Sequence, residues 1–466
     1  MHISFHGAAQ TVTGSKHTLH LNNGRKILLD CGMFQGLGKD TLRLNQEWGF
    51  EPSSISMVLL SHAHIDHSGL LPKLVKDGFR GKIYCTPATL DLVKIMLTDS
   101  AHIQENDVKH INKRRLRDER PLVSPLYTIE DAEKVFEHLV PLKYDEKLQI
   151  DDQIAILFSD GGHILGSAAI NIEIKEDAHT RSICFSGDVG RYRDMILRAP
   201  ERFPQADTII MEATYGNKLH EEHVPSVERF LDILTTTCIK KKGKLIIPAF
   251  SIGRTQELLY LLNRLELEHR LPDLDYFVDS PLSIHATEII KQHPECFNIH
   301  VQELLKKDDD VFGFKGLHLI EKAEDSIRLN DYEGPCVIIS ASGMAEAGRI
   351  KHHIAHTIES TKNTILIVGF SESHSLAGKL KLHPKEVKIF GEPYQVNATI
   401  ETIDSMSAHG DYEDLLKWLS CQDINKVDRF FLVHGEYENQ LAMQKRLQQK
   451  GFKNVLIPKM HEQFKL

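Results

Sequence analysis

Met57-Val58-Leu59-Leu60, followed at once by Ser61-His62-Ala63-His64-Ile65-Asp66-His67-Ser68-Gly69, is the stretch on which the reading of this chain turns. The apolar run is short and reads as a buried strand, and Gly69–Lys76 begins a helix. The histidine cluster then occupies the loop at the strand's C-terminal end, the edge where open α/β architectures build their sites. Four ligand-type side chains within six residues cannot all lie in a core, because buried polar groups need partners. Imidazole with carboxylate, and no thiolate nearby, suits Zn²⁺ and related first-row metals at a catalytic rather than a structural site. His62 and His64 alternate, so they reach one ion from one face of an extended segment. Asp66 and His67 lie further along the turn, where they serve a second ion. The competing reading is a polar, solvated loop with adventitious histidines. It suits a single H-x-H better than H-x-H-x-D-H behind a hydrophobic strand.

Composition bounds what such a site can serve. The chain has 466 residues, 41% hydrophobic and 26% charged, so two or three globular domains are expected at ~100–200 residues each. Its 56 Lys and Arg against 65 Asp and Glu leave a net charge of −9. That excludes adhesion to nucleic acid or anionic membrane by bulk charge, but not a local basic groove. Histidine is over-represented at 27 residues, which directs the search for function there. The seven cysteines are scattered, odd in number and form no C-x-x-C pair. This points to a reducing, cytoplasmic setting and away from a disulfide framework or thiolate zinc cluster. The opening residues lack a secretory pattern, and no apolar stretch reaches the ~18 residues of a membrane span.

Short β-branched runs recur along the chain at Ile209–Met211, Leu245–Ile247, Val337–Ile339, Ile365–Val368 and Phe430–Val433. Amphipathic stretches follow several of them, at Ser251–Leu265, Ala345–Ile358 and Asp411–Leu419, which is an α/β pattern. The early part is richer in strands, with Ile3–Phe5, Lys16–Leu21, Arg25–Asp30, Ile154–Phe158, Ala168–Ile174 and Ser182–Ser186. Gly/Pro punctuation at Pro200–Pro204 and Gly391–Pro393 offers candidate boundaries. Three further segments place a metal-ligating side chain at a strand-to-loop edge. They are Asp160-Gly161-Gly162-His163-Ile164-Leu165-Gly166-Ser167, Ser186-Gly187-Asp188 and Val433-His434-Gly435-Glu436. One such residue alone is more often a cap or a solvated turn; three together favour ligation.

The ordered set of motifs resembles the metallo-β-lactamase superfamily. H-A-H-I-D-H is similar to its signature, and the G-H-I-L-G-S and S-G-D segments to its third and fourth ligand motifs. More specifically the chain resembles the β-CASP branch, the nucleic-acid-processing group related to the cleavage-and-polyadenylation endonuclease. Glu212-Ala213-Thr214-Tyr215-Gly216, Ser407-Ala408-His409-Gly410-Asp411 and Val433-His434-Gly435-Glu436 are similar to motifs A, B and C of that branch. The likeness runs from Gly7 to about Leu447. It implies a four-layer αββα metallo-β-lactamase fold with an inserted β-CASP α/β domain, and an active site in the cleft between them. The expected divisions are 1–205 and 393–466 for the metallo-β-lactamase domain and 206–392 for the β-CASP domain. A histidine at motif C, here His434, is associated with RNA-directed members.

The resemblance also implies roles. One metal is held by His62, His64 and His163, a second by Asp66, His67 and His434, and Asp188 bridges them with an oxygen for each ion. The cofactors implied are two Zn²⁺ per chain, with Mn²⁺ as a substitute. The activity implied is a ribonuclease, endonuclease or 5′-to-3′ exonuclease, in RNA processing or decay, in which a hydroxide activated by two metals attacks a phosphodiester. His409 is the candidate general acid, Glu212 the carboxylate that orients it and raises its pKa, and Asp66 is counted with them as catalytic. Ser342 and Gly343, in a small-residue loop before a helix expected near Ala345, together with Arg254 and Ser407, are expected to bind substrate. For Arg254 an ordinary salt bridge at a helix end is the competing reading. The partner implied is RNA, expected as a single strand, with no membrane; dimerisation into a homodimer follows from relatives and not from the residues. The basic runs Lys109–Arg117 and Lys240–Lys244 stand out against the acidic balance, though charge runs usually mark solvated faces.

One stretch departs from the family pattern. Ser371-Glu372-Ser373-His374-Ser375-Leu376-Ala377-Gly378-Lys379 stands where relatives carry a Gln-Ala pair and later a Gly-Arg pair. It bears on how the substrate strand is gripped, not on the metal ligands. Two other functions compete with the nuclease. One is an inactive scaffold binding RNA or a processing partner, whose members typically lose metal ligands that are all present here. The other is a small-molecule metallohydrolase, which needs neither the insertion nor motifs A to C.

Overall fold

The computed structural model describes residues 1–176, 179–220, 223–369, 371, 374–403 and 407–466. These fall into two compact units, Met1–Leu219 with His409–Leu466, and His220–Ala408.

The first unit is built on two seven-stranded sheets. In spatial order one comprises Gln463–Lys465, His2–Phe5, His17–His20, Lys26–Leu29, Met57–Leu59, Lys82–Cys85 and Leu139–Pro141. The other comprises Val455–Leu456, Arg429–Val433, Thr208–Glu212, His179–Phe185, Ala168–Glu176, Ile154–Asp160 and Leu148–Gln149. Strand alternation sends every second side chain to one face. Ile154, Ile156 and Phe158, then Ile170, Ile172 and Ile174, then Ile183 and Phe185, meet Phe5, Leu19, Leu29, Met57 and Leu59 in one buried cluster between the sheets. The intervening residues Cys184, Ile209, Met211, Phe430 and Leu432 point the other way. They pack with Leu415, Trp418, Met443 and Leu447 of the helices Tyr412–Trp418 and Tyr437–Lys450. On the first sheet Leu28, Val58 and Ile83 are likewise buried on the face away from the sandwich, with Leu71, Leu74, Leu92 and Val93 of the helices Leu71–Lys76 and Pro87–Arg117 also buried. The result is an αββα arrangement of four layers.

The second unit is an α/β domain on a parallel sheet of six strands. In spatial order these are Leu317–Leu319, Asp275–Val278, Cys336–Ser340, Lys244–Pro248, Thr364–Val368 and Thr399–Ile403. Ile246, Ile338, Ile365 and Ile367 on one face join Ile350, Ile354 and Leu380 in its core.

The units do not divide at 205/206 and 392/393. Thr208–Glu212 is hydrogen-bonded between His179–Phe185 and Arg429–Val433, with Phe185 opposite Ile210 and Glu212 opposite Val433, so it belongs to the first unit's sheet. Thr399–Ile403 pairs with Thr364–Val368 and belongs to the second. The punctuation at Gly391–Pro393 is the turn of a hairpin in which Ile389 faces Glu392, with Phe390 and Gly391 both at positive φ. Phe370, Glu372 and Ser373 of the atypical segment lie outside the described residues; Ser375 caps the helix Leu376–Leu380 by accepting from Gly378 N at 3.0 Å. Among the described residues no helix is long and apolar enough to cross a membrane.

Both tryptophans, Trp48 and Trp418, lie in the first unit, so their fluorescence reports its unfolding alone. Ile172→Ala empties a site 1% exposed between the sheets and is expected to cost ~2–5 kcal/mol. Leu42→Ala, at a side chain 58% exposed, is expected to stay within ~0.5 kcal/mol. Urea midpoints at unchanged slope check both.

Candidate metal centre

Every side chain of the centre sits at or just beyond a strand end in the first unit. Asp30 follows Lys26–Leu29, and the cluster from Ser61 follows Met57–Leu59, its parallel neighbour. Asp188 follows His179–Phe185, Glu212 ends Thr208–Glu212 and His434 follows Arg429–Val433, three strands that run parallel. Parallel strands end together, so residues far apart in sequence arrive at one edge. His163 comes from the loop between Ile154–Asp160 and Ala168–Glu176. Ser167 Oγ closes that loop by accepting from His163 N at 2.9 Å, and Asp160 Oδ1 accepts from Gly162 N at 2.8 Å. Burial pushes the Asp160 carboxyl up to about 7, against the Arg198 guanidinium 2.9 Å away.

Asp66 and His67 lie on a helical turn, Ile65–Ser68, that begins earlier than the helix expected from Gly69. The segment Cys31–Met33 grips this turn. Cys31 N donates to His67 O at 2.8 Å and Met33 N to Ile65 O at 2.9 Å. A Cβ at Gly32 would stand 1.6 Å from the Asp66 carbonyl oxygen, so only glycine fits.

The seven side chains come together in two groups, His62, His64, His163 with Asp188 and Asp66, His67 with His434, and a third group joins Asp188 and His434 to Glu212 and His409. His64 Nδ1 lies 3.2 Å from His62 Nε2 and 3.3 Å from His163 Nε2. Asp188 Oδ2 is 3.6 Å from His62 Nε2 and 3.5 Å from His163 Nε2. In the second group His434 Nε2 lies 3.2 Å from His67 Nε2 and 3.4 Å from Asp66 Oδ2. Asp188 Oδ2 is also 3.4 Å from His67 Nε2. Oδ2 therefore faces both groups. The other, Oδ1, is 3.4 Å from His434 Nδ1 and has no hydrogen-bond partner among the described residues.

Asp30 organises the imidazoles, and sequence reasoning missed it. Its Oδ2 is 2.6 Å from His67 Nδ1 and accepts from Ser61 Oγ at 2.9 Å. With its proton on Asp30, Ser61 Oγ accepts from His62 Nδ1 at 3.0 Å. Both histidines thus carry hydrogen on Nδ1 and turn the Nε2 lone pair into the pocket. Thr214 Oγ1 does the same for His434. It donates to the His434 carbonyl and lies 3.1 Å from Nδ1, leaving Nε2 as the lone pair. Asp30 and His434 both adopt left-handed backbone, φ 56° and 46°, a strain of order 1 kcal/mol each that these bonds offset. The signal for Asp30 was available: it ends an apolar run beside the strand that carries the cluster.

The electrostatics fit divalent cations. Asp30, Asp188 and Glu212 are buried, and the ion-pair partners of these three and of Asp66 are histidines. Burial holds His62 well below the ordinary imidazole value and His64 down to about 4, so both are neutral donors. Burial would also lower His67, but the carboxylates of Asp188 and Asp30 raise it well above. Positive charge is favoured at this point, and a cation supplies it. Converging imidazole lone pairs and carboxylate oxygens, with an orphaned Asp188 oxygen, are a donor set for first-row divalent ions.

His409 lies beside the centre. Its Nδ1 is 3.2 Å from both Glu212 oxygens and 3.8 Å from Asp188 Oδ2. Glu212 is itself fixed by accepting from Val189 N at 2.7 Å and Thr214 N at 3.3 Å. Burial would lower the His409 pKa, but Glu212 and then Asp188 raise it to about 9. Asp411 is the N-cap of the following helix, accepting from Glu413 N and Asp414 N at 2.9 and 3.1 Å.

The expected substrate-binding residues fare differently. Arg254 is buried and paired with Glu257, the ordinary role that its place at a helix start also allows. The helix expected near Ala345 begins at Ile350, because Ala345 and Gly348 have φ of 55° and 80°. Ser342 N donates to Ala347 O at 3.2 Å, so that amide is committed within the loop, and Gly343 is not at a helix N-terminus. Ser407 is buried.

Known families match most of the chain. The metallo-beta-lactamase superfamily domain matches residues 18–213, the Beta-Casp domain 255–380 and the Zn-dependent metallo-hydrolase RNA specificity domain 393–458. Ribonuclease TTHA0252 of Thermus thermophilus is 36% identical over 96% of this chain and 95% of its own length. An RNase J-like protein of Methanocaldococcus jannaschii is 29% identical over 94% of each. Transcription termination factor FttA of Methanosarcina mazei is 29% identical over 88% of this chain and 63% of its own length.

Asp30→Asn keeps the volume but cannot accept from both His67 and Ser61. It is expected to weaken divalent-cation affinity ~10–100-fold, measured by competition against a calibrated chelator. Unchanged affinity would remove Asp30 from the organisation of the centre.

Proposed function

This chain belongs to the β-CASP branch of the metallo-β-lactamase superfamily, and from that premise we propose that it is a metal-dependent ribonuclease acting in RNA processing or decay. The observation that carries the proposal is the convergence of seven ligating side chains beside a carboxylate–histidine pair, His409 with Glu212. The match to an RNA specificity domain and the ribonuclease relatives support RNA as the substrate.

His62, His64 and His163 would hold one ion, Asp66, His67 and His434 a second, with Asp188 facing both; Zn²⁺ suits this set and Mn²⁺ is its natural substitute. When bound, two such cations would polarise a water and offset the charge that develops on a scissile phosphate. Burial would raise the Asp66 carboxyl, but His434 and His67 hold it well below the ordinary carboxylate range, so it stays an anion in the second group, and the attacking hydroxide would form by loss of a proton to bulk water. Attack at phosphorus breaks the bond to the leaving 3′-oxygen and leaves a 5′-phosphate on the downstream product. His409 gives the leaving oxygen its proton. Glu212 binds Nδ1, so Nδ1–H is retained and Nε2 is the nitrogen that delivers. The raised pKa of about 9 keeps His409 protonated at neutral pH.

End-labelled RNA is expected to be cut to 5′-phosphate products. Chelation abolishes the cutting, and added Zn²⁺ or Mn²⁺ restores it. Blocking of cleavage by a 5′-triphosphate end identifies a 5′-to-3′ exonuclease mode, and internal cuts an endonuclease mode. Absence of cleavage at full metal occupancy would instead leave an RNA-binding scaffold.

His163→Ala and Asp188→Ala are expected to lose both metal and most activity. His409→Ala is expected to keep its metal while kcat falls ~10²–10⁴-fold. Full activity in His409→Ala, checked beside metal content, would cancel the general-acid assignment.

A further inference from the structure

The helix Pro87–Arg117 is 31 residues long, so it spans ~46 Å. Its start is tied to the loop that carries His163, where Thr86 Oγ1 and Thr89 Oγ1 donate to Gly166 O at 2.6 and 2.8 Å. Its first half is buried up to Ala101, and beyond that no residue of the helix is. The distal half therefore reaches ~20–46 Å from its tethered start.

That distal half has two faces. One is covered by the returning chain. Asn112 exchanges side-chain bonds with Val123 N and O at 3.0 and 2.9 Å, Arg115 Nε donates to Pro121 O, and Glu105 Oε1 accepts from Ile129 N at 3.0 Å. The other face carries Lys109, His110, Lys113, Arg114 and Arg117, all exposed. At 3.6 residues per turn these five fall in an arc of ~140°, joined only by His102, Ile103 and Asn106. The arc holds no acidic residue; Asp107 and Asp118 stand at its edge. Among the described residues Lys109, Lys113, Arg114 and Arg117 form no ion pair.

Such a stripe costs helix stability. Lys109 with Lys113, and Lys113 with Arg117, are like charges at i,i+4, which repel. The helix C-terminus favours cations only in its last turn, so it accounts for Arg114 and Arg117 but not for Lys109 or Lys113. The chain's other basic run is different. Lys241 Nζ donates to Thr399 Oγ1 at 2.9 Å and Lys244 Nζ to Asn330 O at 3.1 Å, so half of it is spent on the fold. The i,i+4 rise of ~6 Å is close to the spacing of successive phosphates on an extended polynucleotide strand.

We propose that the stripe Lys109–Lys113–Arg114–Arg117 is a remote RNA-backbone anchor, engaging phosphates of a strand whose other end lies at the metal centre. It rests on the ribonuclease reading above. Phosphate contacts carry no sequence information, so the anchor holds long strands of any sequence and does not touch the reacting bond.

The test is steady-state cleavage by the metal-loaded full chain and by the quadruple variant Lys109→Gln, Lys113→Gln, Arg114→Gln, Arg117→Gln. Two single-stranded substrates are used, one with a contour above ~45 Å and one below ~20 Å. The variant is expected to raise KM about tenfold on the long RNA only, with kcat unchanged, and to reduce the salt dependence of log kcat/KM by about 0.7 for each phosphate that is no longer neutralised. Swapping Lys109→Arg and Lys113→Arg keeps the charge and is expected to keep the wild-type KM. Helix content and the thermal midpoint should be essentially unchanged, because the i,i+4 repulsion removed offsets the last-turn cations lost. An unchanged KM and salt slope on the long RNA overturns the anchor, as does an equal loss on both substrates. Unchanged RNA kinetics with abolished binding of polyglutamate assigns the stripe to an acidic protein instead, and also overturns it. A wild-type chain that cleaves neither RNA with its cations bound takes down the ribonuclease reading itself, which the variant's failure alone does not.

Discussion

Buried carboxylates that, among the described residues, form ion pairs with histidines and with no lysine or arginine are the constraint around which the metal centre is organised. Asp30, Asp188 and Glu212 sit at the edge of two sheets, and their ion-pair partners are imidazoles. Burial itself discharges His62 and His64, so these cannot supply the missing charge. Divalent cations can, and the Nε2 lone pair of His62 is already turned into the pocket. Asp30 stands behind the candidate ligands. One carboxylate, bonded to His67 and through Ser61 to His62, sets the tautomer of a ring in each group.

The scaffold explains why such a cluster assembles at all. Three strands of the second sheet run parallel and end in Asp188, Glu212 and His434, and the first sheet ends in Asp30 and the histidine cluster. The second unit is inserted between two neighbouring strands, Thr208–Glu212 and Arg429–Val433, without disturbing their register. Glu212 and His409 flank that insertion in sequence, yet they are hydrogen-bonded. His409, Glu212 and the candidate metal ligands therefore all belong to the first unit.

Charge outside the centre follows a different rule. An acidic protein that handles a polyanion must concentrate its cations, because excess negative charge elsewhere repels the substrate. The distal half of Pro87–Arg117 does this by covering its mixed face with the chain's own return and leaving the basic face in water.

Strand positions were readable from sequence because burial on one or both faces imposes period-two or continuous apolar runs, as in Ile154–Phe158 and Met57–Leu60. The metal-ligand candidates were readable because His and Asp at the ends of such runs have few structural uses, and the family resemblance ordered them into two groups. Boundaries were not. Gly391 marks a hairpin turn and Ala345 a left-handed residue, and local composition cannot distinguish either from a domain edge or a helix start. By itself, then, the sequence determined which side chains are candidates for the chemistry and which strands present them. Only the tertiary structure decided that Asp30 orients two rings, that one Asp188 oxygen faces both groups, that Arg254 is spent on Glu257, and which face of the long helix meets water. Each of these depends on contacts between residues brought together by packing or on which face packing covers, and spacing along the chain holds no record of them.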